Sequence, residues 1–250
     1  MSEVVTLTVA PRFCGPPASA NGGYFAGLVA TLASGTMKVR LRRPPPLAAP
    51  MPAERFADGR IVVRHDGETV AEATPAMLQL DLPPPVARLE AVEASRRFRG
   101  WQQHVFPRCF VCGPQRARGD GLRIFAGRIA GRVEPGLVAA PWIPDASLAL
   151  ADGRIAPQFM WAALDCPGYF AVATDGRVML LAEITAQVER RLRVDEAAVA
   201  VGWHLGGEGR VHQAGTALFG EDGELCASAR ATWIEPRRAP SDLRDPPPGA

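Results

Sequence analysis

Two short segments carry residue types that could do chemistry. Asn21-Gly22-Gly23 opens a run of small and apolar residues to Ser34 that reads as a buried helix. A helix N-terminus offers backbone N–H groups without intrahelical partners and the positive end of the macrodipole. Glycine there lets another group approach the backbone closely. The N–H groups of Gly23 and Tyr24 are therefore candidate donors to an oxygen that gains negative charge. Asp165 lies in a second apolar run of helical length, Pro157 to Thr174. With few charged neighbours, its carboxyl could act as general base or nucleophile. Each feature also has a plainer reading. Asn21 is a good N-cap residue, and Asp165 could tie up backbone groups loosened by Pro167, which disrupts helical bonding to Ala163.

The cysteines are less suggestive. Cys109 and Cys112 have metal-like spacing, but two further ligands are needed and His104 is the only near candidate. A packed loop is expected there, with no metal and no organic cofactor. Cys166 follows Asp165, and with no histidine close in sequence to activate it, it reads as a small buried hydrophobe. His65, His204 and His212 fall in strand or turn segments and receive no role. Trp101, Trp142, Trp161, Trp203 and Trp233 read as core residues or walls of an apolar pocket.

The elements that must position these groups repeat. Asp66-Gly67-Glu68-Thr69-Val70-Ala71-Glu72-Ala73 returns as Asp222-Gly223-Glu224-Leu225-Cys226-Ala227-Ser228-Ala229. Each copy is preceded by a strand-like segment, Arg60 to Arg64 and Val211 to Phe219, and Asp-Gly suits the turn that joins twisted strands, so each predicts a β-hairpin. Ahead of the first hairpin lie the run from Asn21 and a strand over Met37 to Arg43; ahead of the second lie Pro157 to Thr174 and strands over Val178 to Arg191 and Val199 to His204. Leu82-Pro83-Pro84-Pro85 and the charged stretch to Arg99 predict a surface linker, and the residues from Pro236 an irregular tail. An apolar helix wrapped by an antiparallel sheet, twice over, is the double hotdog arrangement, an α+β fold. The units are placed at 1–95 and 96–236, with a tail at 237–250.

Composition excludes little but points one way. The chain has 250 residues, of which 47% are hydrophobic and 22% charged, with a net charge of +2. Such a balance describes a globular chain with ample core and no field selecting nucleic acid or membrane. Lys38 is the only lysine. Arg96-Arg97-Phe98-Arg99 and Arg190-Arg191 read as solvated faces, or as contacts for the phosphates of a ligand. No window approaches the ~20 apolar residues of a membrane span, no secretory pattern is visible before Pro11, and five cysteines suit reduced thiols. A cytoplasmic protein is expected.

Cys109-Phe110-Val111-Cys112-Gly113-Pro114 followed by Gly121-Leu122 resembles the opening of the phenylacetate-pathway and related hotdog thioesterases. In those families the helix opens with His-Gly-Gly and an acid follows nine positions after the His. Here Asn21-Gly22-Gly23 resembles the glycine start, but Ala30 stands at the acid position. Asp165 resembles the acid, but Ala156-Pro157-Gln158 stands where the glycine start would be. Where two hotdogs pair, the glycine-bearing helix of one faces the acid-bearing helix of the other. The two losses are thus complementary and leave one composite site.

The layout also resembles acyl-CoA thioesterase II, a fused double hotdog with an Asp on its second helix. That family adds a Gln and a Ser or Thr on later strands. Near those positions stand Ala231-Thr232 and Leu205-Gly206-Gly207, so Asp165 must act with different helpers. The resemblance implies hydrolysis of acyl-CoA or acyl-carrier thioesters, with Asp165, Gly23 and Tyr24 catalytic and Asn21, Gly22 and Trp161 binding substrate. It also implies a thioester partner and a homodimer of double hotdogs. The alternative is a hotdog protein that binds an acyl chain or thioester without cleaving it. A hotdog hydratase is disfavoured, because no Asp is followed by a His five positions later.

Overall fold

The computed structural model describes residues 3–173 and 177–237. The first half runs β1 (Glu3–Leu7), α1 (Gly22–Ala30), β2 (Met37–Leu41), β3 (Met51–Arg55), β4 (Ile61–His65) and β5 (Glu68–Pro75). Helix α2 (Arg88–Arg96) follows. The second half runs β6 (Gly127–Arg128), β7 (Val138–Trp142), α3 (Pro157–Ala163), α4 (Asp165–Val172), β8 (Leu180–Val188), β9 (Ala198–Glu208), β10 (Val211–Phe219) and β11 (Leu225–Ile234).

Among the described residues, eleven strands form one sheet in the order β1-β3-β4-β5-β2-β8-β11-β10-β9-β7-β6, and every pair is antiparallel. Counted outward from the β2–β8 seam, the two halves place their strands in the same relative order. The seam register follows from alternation along Met37-Lys38-Val39-Arg40. Val39 pairs with Ile184, both fully buried, while Arg40 pairs with Glu183 and forms a 2.8 Å ion pair on the outer face. A slip of one residue would bury Lys38 and Arg40.

Both predicted hairpins form, by different turns. Asp66 and Gly67 take φ of 48° and 79°, a two-residue turn of the kind that matches strand twist. The second hairpin closes through Gly220 to Glu224, with Gly220 N–H donating to Glu224 O at 2.9 Å and Gly223 at φ 76°.

The helices depart from expectation more. α1 stops at Ala30 instead of Ser34, and the N–H groups of Leu32 and Ala33 turn back to carbonyls three residues earlier. The run from Pro157 is two helices broken at Leu164, whose N–H donates to Trp161 O at 3.1 Å. Pro167 has no N–H for the carbonyl of Ala163, so a continuous helix would leave a bond unmade. Thr174, the expected end of that run, and residues 238–250 of the expected tail lie outside the described residues. β9 extends four residues beyond the predicted His204, and β8 is shorter than predicted at both ends. The charged stretch before Arg99, expected as linker, contains α2. Its Ala91 and Ala94 face Leu137, Ala139, Val201 and Trp203 in a small second core on the outer side of the sheet.

α1 and α3 pack closely because Gly23 and Gly27 flatten one face of α1. A methyl on Gly27 would lie 2.6 Å from Trp161 Cβ and 2.8 Å from Gln158 Cα; one on Gly23 would lie 2.5 Å from Asp165 Cβ. The N-terminus of α1 is thereby set against the first turn of α4. No helix among the described residues is long and apolar enough to cross a membrane.

Candidate functional site

Asn21 organises the junction. It caps α1, its Oδ1 accepting the Tyr24 N–H at 2.9 Å, and its Nδ2 donates to Asp165 Oδ2 at 2.6 Å. Gly23 N–H donates to the same oxygen at 3.0 Å. Asp165 is 2% exposed, and among the described residues its Oδ1 has no hydrogen-bond partner. Burial pushes this carboxyl up to about 7, against the pull of the Gly23 N–H; Cys109 adds to the rise, and the Asn21 amide opposes it. A carboxyl that titrates near neutrality can hold or release a proton under working conditions.

Asp165, Asn21 and Gly22 border a cavity of about 270 Å³. Leu181, Met179, Tyr169 and Trp233 supply apolar wall, with Cys109, Cys112 and Cys166 beside the carboxyl. The structure thus brings Asn21, Gly22, Gly23 and Asp165 together.

The remaining candidates are placed differently. Tyr24 gives its N–H to Asn21, and its ring stacks on Phe13 at 4.3 Å, away from the cavity wall; burial holds its hydroxyl up at about 12. The Gly23 N–H is engaged by Asp165. Trp161 is buried against Gly27 and borders a separate cavity of about 440 Å³ with Pro157, Gln187 and Arg191. On β11 the residues bordering the Asp165 cavity are Trp233 and Ile234, not Ala231 or Thr232. Within the arginine clusters, Arg96 pairs with Glu93, Arg190 with Glu196 and Glu224, and Arg191 with Asp152, while Arg97 donates to Arg128 O and Arg99 to Phe170 O.

Two features escaped the sequence. Trp233 Nε1 is a buried donor without a partner among the described residues, on a side chain that borders the cavity. Cys166 meets Cys109 with their sulfurs 3.8 Å apart, and Cys112 joins them, all three sulfurs lying within 4.8 Å of one another. Hydrogen bonds from the Cys112 and Cys166 thiols hold Cys109 well below the ordinary thiol range, while burial pushes Cys112 and Cys166 up. No sequence signal joins residues 57 apart.

No family model matches the chain, and comparison with curated proteins finds no match. Solved structures do match. The tesB protein of Mycobacterium avium subsp. paratuberculosis is 15% identical and superposes with a TM-score of 0.61, over 93% of each chain. A protein with hot dog fold from Alicyclobacillus acidocaldarius is 12% identical with a TM-score of 0.63, over 94% of each chain. The acyl-CoA thioesterase II TesB2 of Mycobacterium marinum is 14% identical with a TM-score of 0.59, over 95% of this chain and 94% of its own. With one antiparallel sheet and few helices among the described residues, and with superposition over nine-tenths or more of each chain, this protein has the hotdog fold and is similar in structure to TesB-type acyl-CoA thioesterase II.

Proposed function

We propose that the chain is a double hotdog, with units at 1–95 and 96–236, that hydrolyses acyl thioesters of coenzyme A or a carrier at one composite site. One observation carries the reading. The Asp165 carboxyl of the second half is buried at 2% exposure and aligned by Asn21 and Gly23 of the first half, beside an apolar cavity. The shared strand order of the two halves and the thioesterases of the same fold support it.

In this mechanism ionised Asp165 takes a proton from water as the water oxygen bonds to the thioester carbon. The C–S bond then breaks, and the departing thiolate takes up the proton. The carbonyl oxygen gains charge at the start of α1. Because Gly23 N–H aligns Asp165 and Tyr24 N–H serves the cap, the donor assigned here is the N–H of Gly22, which borders the cavity. The apolar wall takes the acyl chain. Release of free thiol across a panel of acyl-CoA esters tests the reading: wild-type protein is expected to release thiol and Asp165→Asn to do so far more slowly. Tight binding of the esters without release from any would assign the alternative, a binding protein.

A further inference from the structure

We propose that Cys109, Cys112 and Cys166 form a binding site for one zinc ion in the wall of the Asp165 cavity, with the fourth ligand supplied from the cavity.

The sulfurs are arranged as a metal would need. All three lie within 4.8 Å of one another, and Cys109 and Cys166 are 3.8 Å apart. A zinc–sulfur bond of about 2.3 Å gives a tetrahedron with an edge of roughly 3.8 Å between sulfurs. The thiols are 3%, 3% and 5% exposed and carry no disulfide.

Local backbone brings them there. Gly113 N–H donates to Cys109 O at 2.9 Å, closing a tight loop around the Cys-x-x-Cys segment. A side chain at Gly113 would meet that same oxygen at 2.5 Å, so the loop requires glycine. Cys166 comes from the other side, in the first turn of α4, after the break at Leu164.

Two polar groups lie beside the sulfurs. Asp165 Oδ1 is buried in the same cavity wall with no partner among the described residues. Asn21 Nδ2 lies 3.9 Å from Cys109 Sγ, a donor of the kind that orients ligating sulfur. Neither Asp165 nor His104 joins the three-sulfur group at the same spacing. All three cysteines border the cavity, so a water or a thiol there can complete the tetrahedron. A second group, Glu196, Glu224 and Cys226, already has its countercharge in Arg190 and makes no comparable case.

Full-length protein, reduced and stripped with a chelator, is titrated with Co²⁺. A thiolate-to-cobalt charge-transfer band that saturates at one ion per chain and is abolished by Zn²⁺ is expected. Cys109→Ser, Cys112→Ser and Cys166→Ser should each lose it; Cys14→Ser and Cys226→Ser should keep it. On the wild type alone, Zn²⁺ should slow alkylation of Cys109, Cys112 and Cys166 but not of Cys226. Absence of the band in folded wild-type protein, its survival in Cys166→Ser, or alkylation indifferent to Zn²⁺ would overturn the site. Thiol release without a cobalt band refutes the metal site alone, and a cobalt band without thiol release refutes the thioester reading alone.

Discussion

Asn21 and Asp165, 144 residues apart in the chain, are joined by a 2.6 Å hydrogen bond. One oxygen of Asp165 is thereby fixed, along with the Gly23 N–H, at the start of α1, and the other is buried without a partner among the described residues. The same Asn21 side chain caps α1, so one amide sets both the helix start and the carboxyl orientation.

Removing that amide should therefore have two separable effects. Asn21→Ala loses the N-cap, which costs about 1 kcal/mol of stability, and strips Asp165 of a donor that holds its ionised form. The midpoint of the pH–rate profile should move upward. Asn21→Ser keeps a capping oxygen and should recover stability without restoring the midpoint. Chemical denaturation together with pH–rate curves checks both.

The pH dependence has a definite sign. In metal-free protein held in chelator, Asp165 titrates near 7 when folded and near the ordinary 3.8 when unfolded. Between those values the folded chain binds the extra proton, so stability falls as pH rises through the window and is level below and above it. Turnover should rise over the same range, as the carboxylate forms. Asp165→Asn abolishes the window, so its stability relative to wild type should improve from pH 4 to pH 8, by on the order of a few kcal/mol. Urea unfolding at several pH values measures this; a constant difference would contradict it.

Close approach of the helices should tolerate no side chain. Gly27→Ala places a methyl 2.6 Å from Trp161 Cβ and 2.8 Å from a backbone carbon, with expected destabilisation of about 1–3 kcal/mol. Gly23→Ala should add a loss of turnover, because it pushes on Asp165 itself. At Gly22 the nearest atom is the far end of Leu181, which can give way, so Gly22→Ala should fold well and raise KM through the cavity.

Much of this was legible in the sequence because it depends on local pattern. The Asp66-Gly67 turn, the alternation of Met37 to Arg40 and the glycine start at Asn21 each fix structure within a few residues. In sequence Gly27 is one small residue among many, and only the partner helix reveals that its missing side chain matters. A helix start likewise shows N–H groups at Gly23 and Tyr24 but not which side chains meet them, here Asp165 and Asn21. The α2 segment reads as linker because it follows Pro83-Pro84-Pro85 and is rich in charge, while its burial rests on just Ala91 and Ala94. The convergence of Cys166 on Cys109 and Cys112 is purely tertiary.

The most direct measurement is thiol release from a panel of acyl-CoA esters by wild-type protein and by Asp165→Asn, with both shown to be folded. Wild-type release against a loss of roughly 10²–10⁴-fold in the variant is the expected result. Equal release by the two proteins would remove Asp165 from the reaction and contradict the composite site.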